Sequence, residues 1–229
     1  MKKTVRLSAA GQQLVRDAIS GKLMLGFVIA CGIYYALLLI FNILGGGGLT
    51  LSLVLILAQG FVTAESIILY QRRESRNLKH LSVFCLIAMI ALFMLCLFLG
   101  SVIMTLKSME SGEQTEEIIA FLAEADLSSD MPYMIATVAS VGLGGLTMLF
   151  LWKALAMSAA LLNHQGELKN WFLPAAVASA LSTAVTLALT ALQPGDAFNI
   201  TIALVSVVRD GLLTALLAQT AIRCKAKLG

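Results

Sequence analysis

The residues with the clearest capacity for chemistry are two adjacent charges, Arg209 and Asp210. They lie near the centre of an otherwise apolar run from residue 197 to residue 222. An arginine at the centre of a membrane-spanning helix costs about 3 kcal/mol on insertion scales, so its presence there indicates a functional site. The chemistry indicated is binding or passage of a polar group inside the membrane. The alternative is a structural ion pair that locks helices or marks a subunit interface.

Helical geometry predicts different surroundings for the two charges, because adjacent residues point about 100° apart on a helix. Asp210 shares its face with Ser206 and Thr214, which form a polar stripe suited to border a hydrated path. Arg209 has apolar residues on its own face. Its partner is therefore expected on another helix.

Gln59 and Glu65 are the candidate partners of Arg209. Counted from the basic residues that end their spans, Gln59 lies 13 positions in and Arg209 lies 14, so the two are at similar depth. Glu65 is seven positions in, about 10 Å nearer the basic side at a rise of 1.5 Å per residue. Glu65 can instead pair with Lys153, although snorkelling of that lysine at the cytoplasmic interface is the simpler explanation for its position.

Long uncharged segments determine the class of protein. Apolar residues make up 59% of the 229 and charged residues only 13%, which excludes soluble globular and disordered chains. The first uncharged run, 42 residues long, is enough for two spans of roughly 20 residues, separated by the four glycines 45–48. The sequence thus predicts an all-α polytopic bundle of six spans, near residues 23–44, 49–70, 81–106, 132–152, 171–192 and 198–222.

Basic residues predict the orientation of this bundle. When the loops are assigned alternately to two sides, 14 of the 16 Lys and Arg residues fall on the side of both termini. By the positive-inside rule, the N and C termini are cytoplasmic, as expected for a bacterial inner-membrane protein. We predict a cytoplasmic interfacial helix within 1–22, a transmembrane domain at 23–222 with an acidic outside loop at 107–130, and a basic tail at 223–229.

Small residues predict where helices approach closely. The fifth span carries a stripe at every fourth position, which suits packing of neighbouring backbones. Its members are Ala176, Ala180, Ala184 and Ala188. A second stripe, on the fourth span, consists of Ala136, Ser140 and Gly144. We therefore expect the fifth span at the bundle centre, packed on the fourth and sixth.

Several function classes find no support in the sequence. His80 and His164 lie at the membrane boundary and lack the spacing of a haem or metal site, and His80 with Cys85 points the wrong way for a dyad on one helix. No nucleotide-binding or nucleic-acid-binding motif is present. We expect no enzyme activity, cofactor or metal, and no disulfide.

The predicted function is a multi-pass transporter or channel, or the permease part of a larger transport system. Its polar pathway would comprise Arg209, Asp210, Gln59, Glu65, Ser206 and Thr214. The alternative is a structural or assembly subunit of a membrane complex, such as secretion or conjugation machinery, in which the same charges bond to another chain. The expected partners are the lipid bilayer and other membrane subunits or further copies of the chain.

Overall fold

The fold is helical throughout the residues that the computed structural model describes, which are 2–43, 49–110, 131–164, 167–192 and 197–228. Within these ranges there are seven helices. They are α1 (Lys2–Ile19), α2 (Lys22–Ile43), α3 (Leu49–Arg72), α4 (Ser75–Glu110), α5 (Met131–Leu162), α6 (Phe172–Leu192) and α7 (Ala197–Leu228). Helices α2 to α7 are long and apolar enough to cross a membrane and correspond to the six predicted spans.

Two chain reversals depend on residues in the left-handed backbone region. Arg73, which follows α3, has a φ of 55°, and His164, which follows α5, has a φ of 59°. Their amides donate to the carbonyls of Leu69 (2.9 Å) and Leu161 (3.1 Å), so each closes the last turn of its helix. A residue with a Cβ is disfavoured in this region, and both positions accept that strain to reverse the chain sharply.

The six long helices form a ring. Each packs against the next in the order α2, α3, α4, α5, α6 and α7, and α7 returns to pack on α2. The contact between α3 and α4 is the sparsest of the six. This arrangement leaves the middle of the ring to side chains rather than to a central helix.

The position of α6 corrects the prediction that the fifth span is central. Helix α6 does pack on α5 and α7, as predicted, but it is one member of the ring. Of its stripe, Ala176 is buried, whereas Ala180, Ala184 and Ala188 are exposed. Small residues permit close approach of a neighbouring helix but do not specify which helix approaches. Of the four alanines in the stripe, only Ala176 is buried within this chain. A packing role for the other three stays a prediction.

Small residues also lie at the contact between α4 and α5. A Cβ added at Gly144 would lie 3.6 Å from Leu92, and one at Gly145 would lie 3.5 Å from Phe93. Gly144 belongs to the stripe predicted on the fourth span, whose other members, Ala136 and Ser140, are half-buried. Glycine removes the side chain that would otherwise hold the two backbones apart.

Helix α1 lies against one end of the ring, where it contacts α2, α5 and α7. Its buried apolar residues are Leu14, Val15 and Ile19, and they lie within the segment predicted to form an interfacial helix. Gln12 Nε2 lies 2.7 Å from His164 Nδ1, at the end of α5. The apolar face of α1 therefore packs on protein rather than only on lipid.

The same end of the ring holds α1, the C-terminal end of α7 and the end of α5 beside the start of α4. Lys227 Nζ donates to the carbonyl of Ala10 (3.0 Å), and Ser75 Oγ donates to Asn163 Oδ1 (2.7 Å). This is the end at which the sequence places 14 of the 16 basic residues. The glycine break at 45–48, residues 111–130 of the acidic loop and the last outside loop at 193–196 lie outside the described residues.

Candidate functional site

Arg209 is held by three groups inside the bundle. Its Nε and Nη2 donate to Oδ1 of Asp210 at 2.8 and 2.7 Å, and its Nη1 donates to Oε1 of Gln59 on α3 at 3.1 Å. The ring of Tyr34 on α2 lies against the guanidinium, 4.3 Å from Cζ. The arginine side chain is 15% exposed and the aspartate side chain 29%. Hydrogen bonding, charge and a π face thus offset the cost of burying this cation.

The pairing of Arg209 with Asp210 corrects the expectation that the two charges have different surroundings. Ideal geometry places their Cα–Cβ bonds about 100° apart, but an arginine side chain is long enough to fold back to the carboxylate of the next residue. The contact is favoured inside the bundle because unpaired charges are costly to bury in a low dielectric. The two residues therefore act as one neutral unit.

Gln59 reaches Arg209 as the depth count predicts. Because α3 and α7 are not neighbours in the ring, the bond between them crosses its interior. Tyr34 was not foreseen, since no spacing rule relates an aromatic residue on α2 to a charge on α7. The resulting polar cluster, defined as Tyr34, Gln59, Arg209 and Asp210, joins three helices.

Thr214 of the predicted polar stripe links two helices. Its Oγ1 donates to the backbone carbonyl of Asp210 (2.8 Å) and lies 2.8 Å from Ser179 Oγ on α6. A hydroxyl has one proton, so Ser179 is the donor in the second bond. Ser206, one turn before Asp210, is half-buried. A role for either residue in a pathway stays a prediction.

Glu65 belongs to a different site. Its carboxylate accepts a bond from Asn77 Nδ2 (2.7 Å) and lies 2.9 Å from His80 Nδ1, both on the first turns of α4. Lys153 instead lies over the ring of Trp152, 4.3 Å from its centroid. Both partners considered for Glu65, Arg209 and Lys153, are therefore wrong. The short turn between α3 and α4 places the last turns of α3 beside the first turns of α4, which brings Glu65 close to Asn77 and His80.

A cavity of about 220 Å³ lies inside the ring, lined by all six long helices and by α1. On α7 its lining runs from Arg209 to Thr220, 11 positions that correspond to about 16 Å along a helix. Gln59, Arg209 and Asp210 line one end of the cavity, and Val15 and Ile19 of α1 line the other.

Most of the cavity wall is hydrocarbon. The hydroxyls of Ser158 and Thr220 face it but donate to carbonyls of their own helices, of Ala154 and Leu216, at 2.7 Å each. Apart from the hydroxyl of Ser66, the main polar surface available to a ligand is that of Gln59, Arg209 and Asp210. Among the described residues, no group of three His, Cys, Asp or Glu side chains is placed to hold a metal ion.

Comparison with known proteins assigns no relative: no family model, curated protein or solved structure matches the chain. The class is consequently defined by the fold and composition alone. The chain has the features of a helical integral membrane protein with six long apolar helices around a shared cavity.

Proposed function

We propose that this protein is a transport-type protein of the bacterial inner membrane, either a carrier by itself or the permease part of a larger system. Its termini are cytoplasmic, and α1 lies at the cytoplasmic end of the cavity. The observation that carries the proposal is a cavity between all six spans with a polar cluster at one end. Cavities between the helices of a bundle are common ligand sites.

The nature of the lining favours a carrier over an ion channel. An ion path needs oxygen ligands or water along its length, whereas most of the residues that line this cavity are apolar. The position of α1 at one end of the cavity also fits a protein whose site becomes more or less accessible by a conformational change.

The assembly-subunit alternative needs the mid-membrane charges to bond to another chain. All three guanidinium nitrogens of Arg209 donate hydrogen bonds within this chain, so Arg209 does not need a partner on another chain. The exposed residues of the α6 stripe are the feature that favours the alternative, since they allow close approach of a second helix.

Aqueous access to the cavity tests the proposal. In a chain whose four cysteines are replaced by alanine, a cysteine is placed at Leu213, which lines the cavity, or at Val208, which is 58% exposed on the outside of the ring. A membrane-impermeant thiol reagent applied from the cytoplasmic side should modify position 213. Position 208 should stay unmodified in lipid. Protection of both positions would favour the assembly subunit.

Orientation is tested separately in intact cells. Single cysteines at Gly46, Ser111 and Gly195 should react with an impermeant reagent from outside, and one at Ser75 should react only after the membrane is opened. The asymmetry of basic residues supports this result. Outside labelling of position 75 would reverse the assignment.

A further inference from the structure

The polar cluster has no net charge but retains hydrogen-bonding capacity. Asp210 Oδ1 accepts both bonds from Arg209. Oδ2 has no hydrogen-bond partner among the described residues, and it retains some exposed surface. Gln59 uses its carbonyl oxygen for Arg209, which leaves its amide nitrogen to donate. The cluster can thus both accept and donate one further hydrogen bond.

A ligand with a charged head would be a poor match for this end of the cavity. It would add an uncompensated charge to a paired Arg and Asp in an apolar surrounding, where desolvation is costly. A hydroxyl head supplies one donor for Asp210 and accepting lone pairs for Gln59 without changing the charge.

The rest of the cavity selects for hydrocarbon. Its wall between the cluster and α1 includes Phe27, Leu81, Leu155, Leu213 and Leu217. A single water needs roughly 10–15 Å³ of such space, so 220 Å³ is far more than isolated waters require. An apolar space of this kind is filled more favourably by an apolar ligand than by water.

We propose that the cavity binds a neutral single-chain amphiphile with a hydroxyl head. The head contacts Asp210 and Gln59, and the hydrocarbon chain extends about 16 Å toward Thr220 and α1. That the amphiphile is a transported substrate rests on the function proposed above. That it binds in the cavity does not depend on that function.

Photolabelling of the purified full-length protein in lipid nanodiscs tests the ligand class. Three probes share one medium-length chain with a diazirine and differ only in the head, which is a primary alcohol, a carboxylate or a trimethylammonium. Mass spectrometry of peptides should find the alcohol on the cavity-lining part of α5, between Met148 and Ser158. It should label there about tenfold more than either charged probe, because each of these adds an unpaired charge.

Two charge variants give the proposal a signature that general lipid binding lacks. Asp210→Asn makes the cluster cationic and should shift preference toward the carboxylate. Arg209→Gln makes it anionic and should shift preference toward the ammonium. Arg72→Gln, an exposed residue outside the cavity, is the matched control and should leave the order of preference unchanged.

A space-filling variant covers the case in which the charge variants do not fold. Leu213→Trp should remove alcohol labelling from α5 while leaving any labelling of the outer surface of α4, near Ile90 and Met94, as it was. Size-exclusion chromatography identifies variants that have lost their fold.

Three results would overturn the inference. They are preference of the parent protein for a charged probe, labelling confined to the outer surface of α4, and folded charge variants with unchanged preference. Alcohol labelling in the cavity combined with no aqueous access at position 213 would retain the ligand class and remove the transport proposal, so the two fail separately.

Discussion

Docking of α1 on the bundle can be tested through a native thiol. Cys224 is fully buried and lies three positions before Lys227, on the same face of α7, and Lys227 bonds to the backbone of α1. Release of α1 should therefore expose Cys224 to a maleimide. The perturbation is Leu14→Ala, since Leu14 is only 1% exposed.

The expected effect follows from the cost of the deleted packing. Truncation of a buried leucine to alanine costs about 2–5 kcal/mol. If the substitution destabilises the docked state of α1 by about 3 kcal/mol relative to the released state, the equilibrium constant for release rises about 100-fold, because each 1.4 kcal/mol is a factor of ten. When α1 opens and closes faster than the reagent reacts, the labelling rate of Cys224 rises by the same factor.

The assay is the time course of maleimide labelling, read at the peptide that contains Cys224. Gln13→Ala is the matched control, because Gln13 is adjacent on α1 but exposed. It should label at the rate of the parent protein. Equal rates for the two variants, or rapid labelling of Cys224 in the parent protein, would refute the docked position of α1.

Three further predictions concern the spans. Arg209→Ala should lower the thermal stability in detergent by several degrees, since it leaves Asp210 as an unpaired buried carboxylate; the double variant with Asp210→Ala should recover part of the loss. Ala176→Leu should reduce the folded yield measured by fluorescence-detected size exclusion, whereas Ala180→Leu should not, unless α6 also binds another chain. Gly145→Leu should disrupt the close contact of α5 with α4 and lower the melting temperature, while a leucine at Gly32, where a Cβ meets no atom within 4 Å, should be tolerated.

The helices could be predicted from the sequence because length and hydropathy alone decide which segments are able to span a membrane. Depth could be predicted too, since a rise of 1.5 Å per residue converts sequence position into height, and this count led from Arg209 to Gln59. The order of the helices around the ring could not be predicted from the sequence. Helices surrounded by lipid are apolar on every side, so their hydrophobic pattern does not identify the face that packs on a neighbour.

Side-chain reach explains the errors at the polar site. The direction of the Cα–Cβ bond separates Arg209 from Asp210, but four side-chain bonds of the arginine are enough to cancel that separation. Glu65 bonds to the first turns of the next helix rather than to a basic residue elsewhere, because the short turn between α3 and α4 places the end of one helix beside the start of the other. Depth counting alone does not identify these partners, since Asn77 and His80 both lie nearer to the turn than Glu65 does.

The pairing of Arg209 with the next residue in the chain has a consequence for biogenesis. Gln59 lies on α3 and depends on tertiary folding to reach Arg209, whereas Asp210 arrives with it on the same turn of the nascent helix. Helix α7 therefore carries its own counter-ion before it meets any other helix. On insertion into a bilayer such a segment would be neutral, and it would cost less than an arginine and an aspartate inserted alone, which is about 3 kcal/mol each. We therefore expect partition of α7 into the membrane to be independent of assembly of the ring.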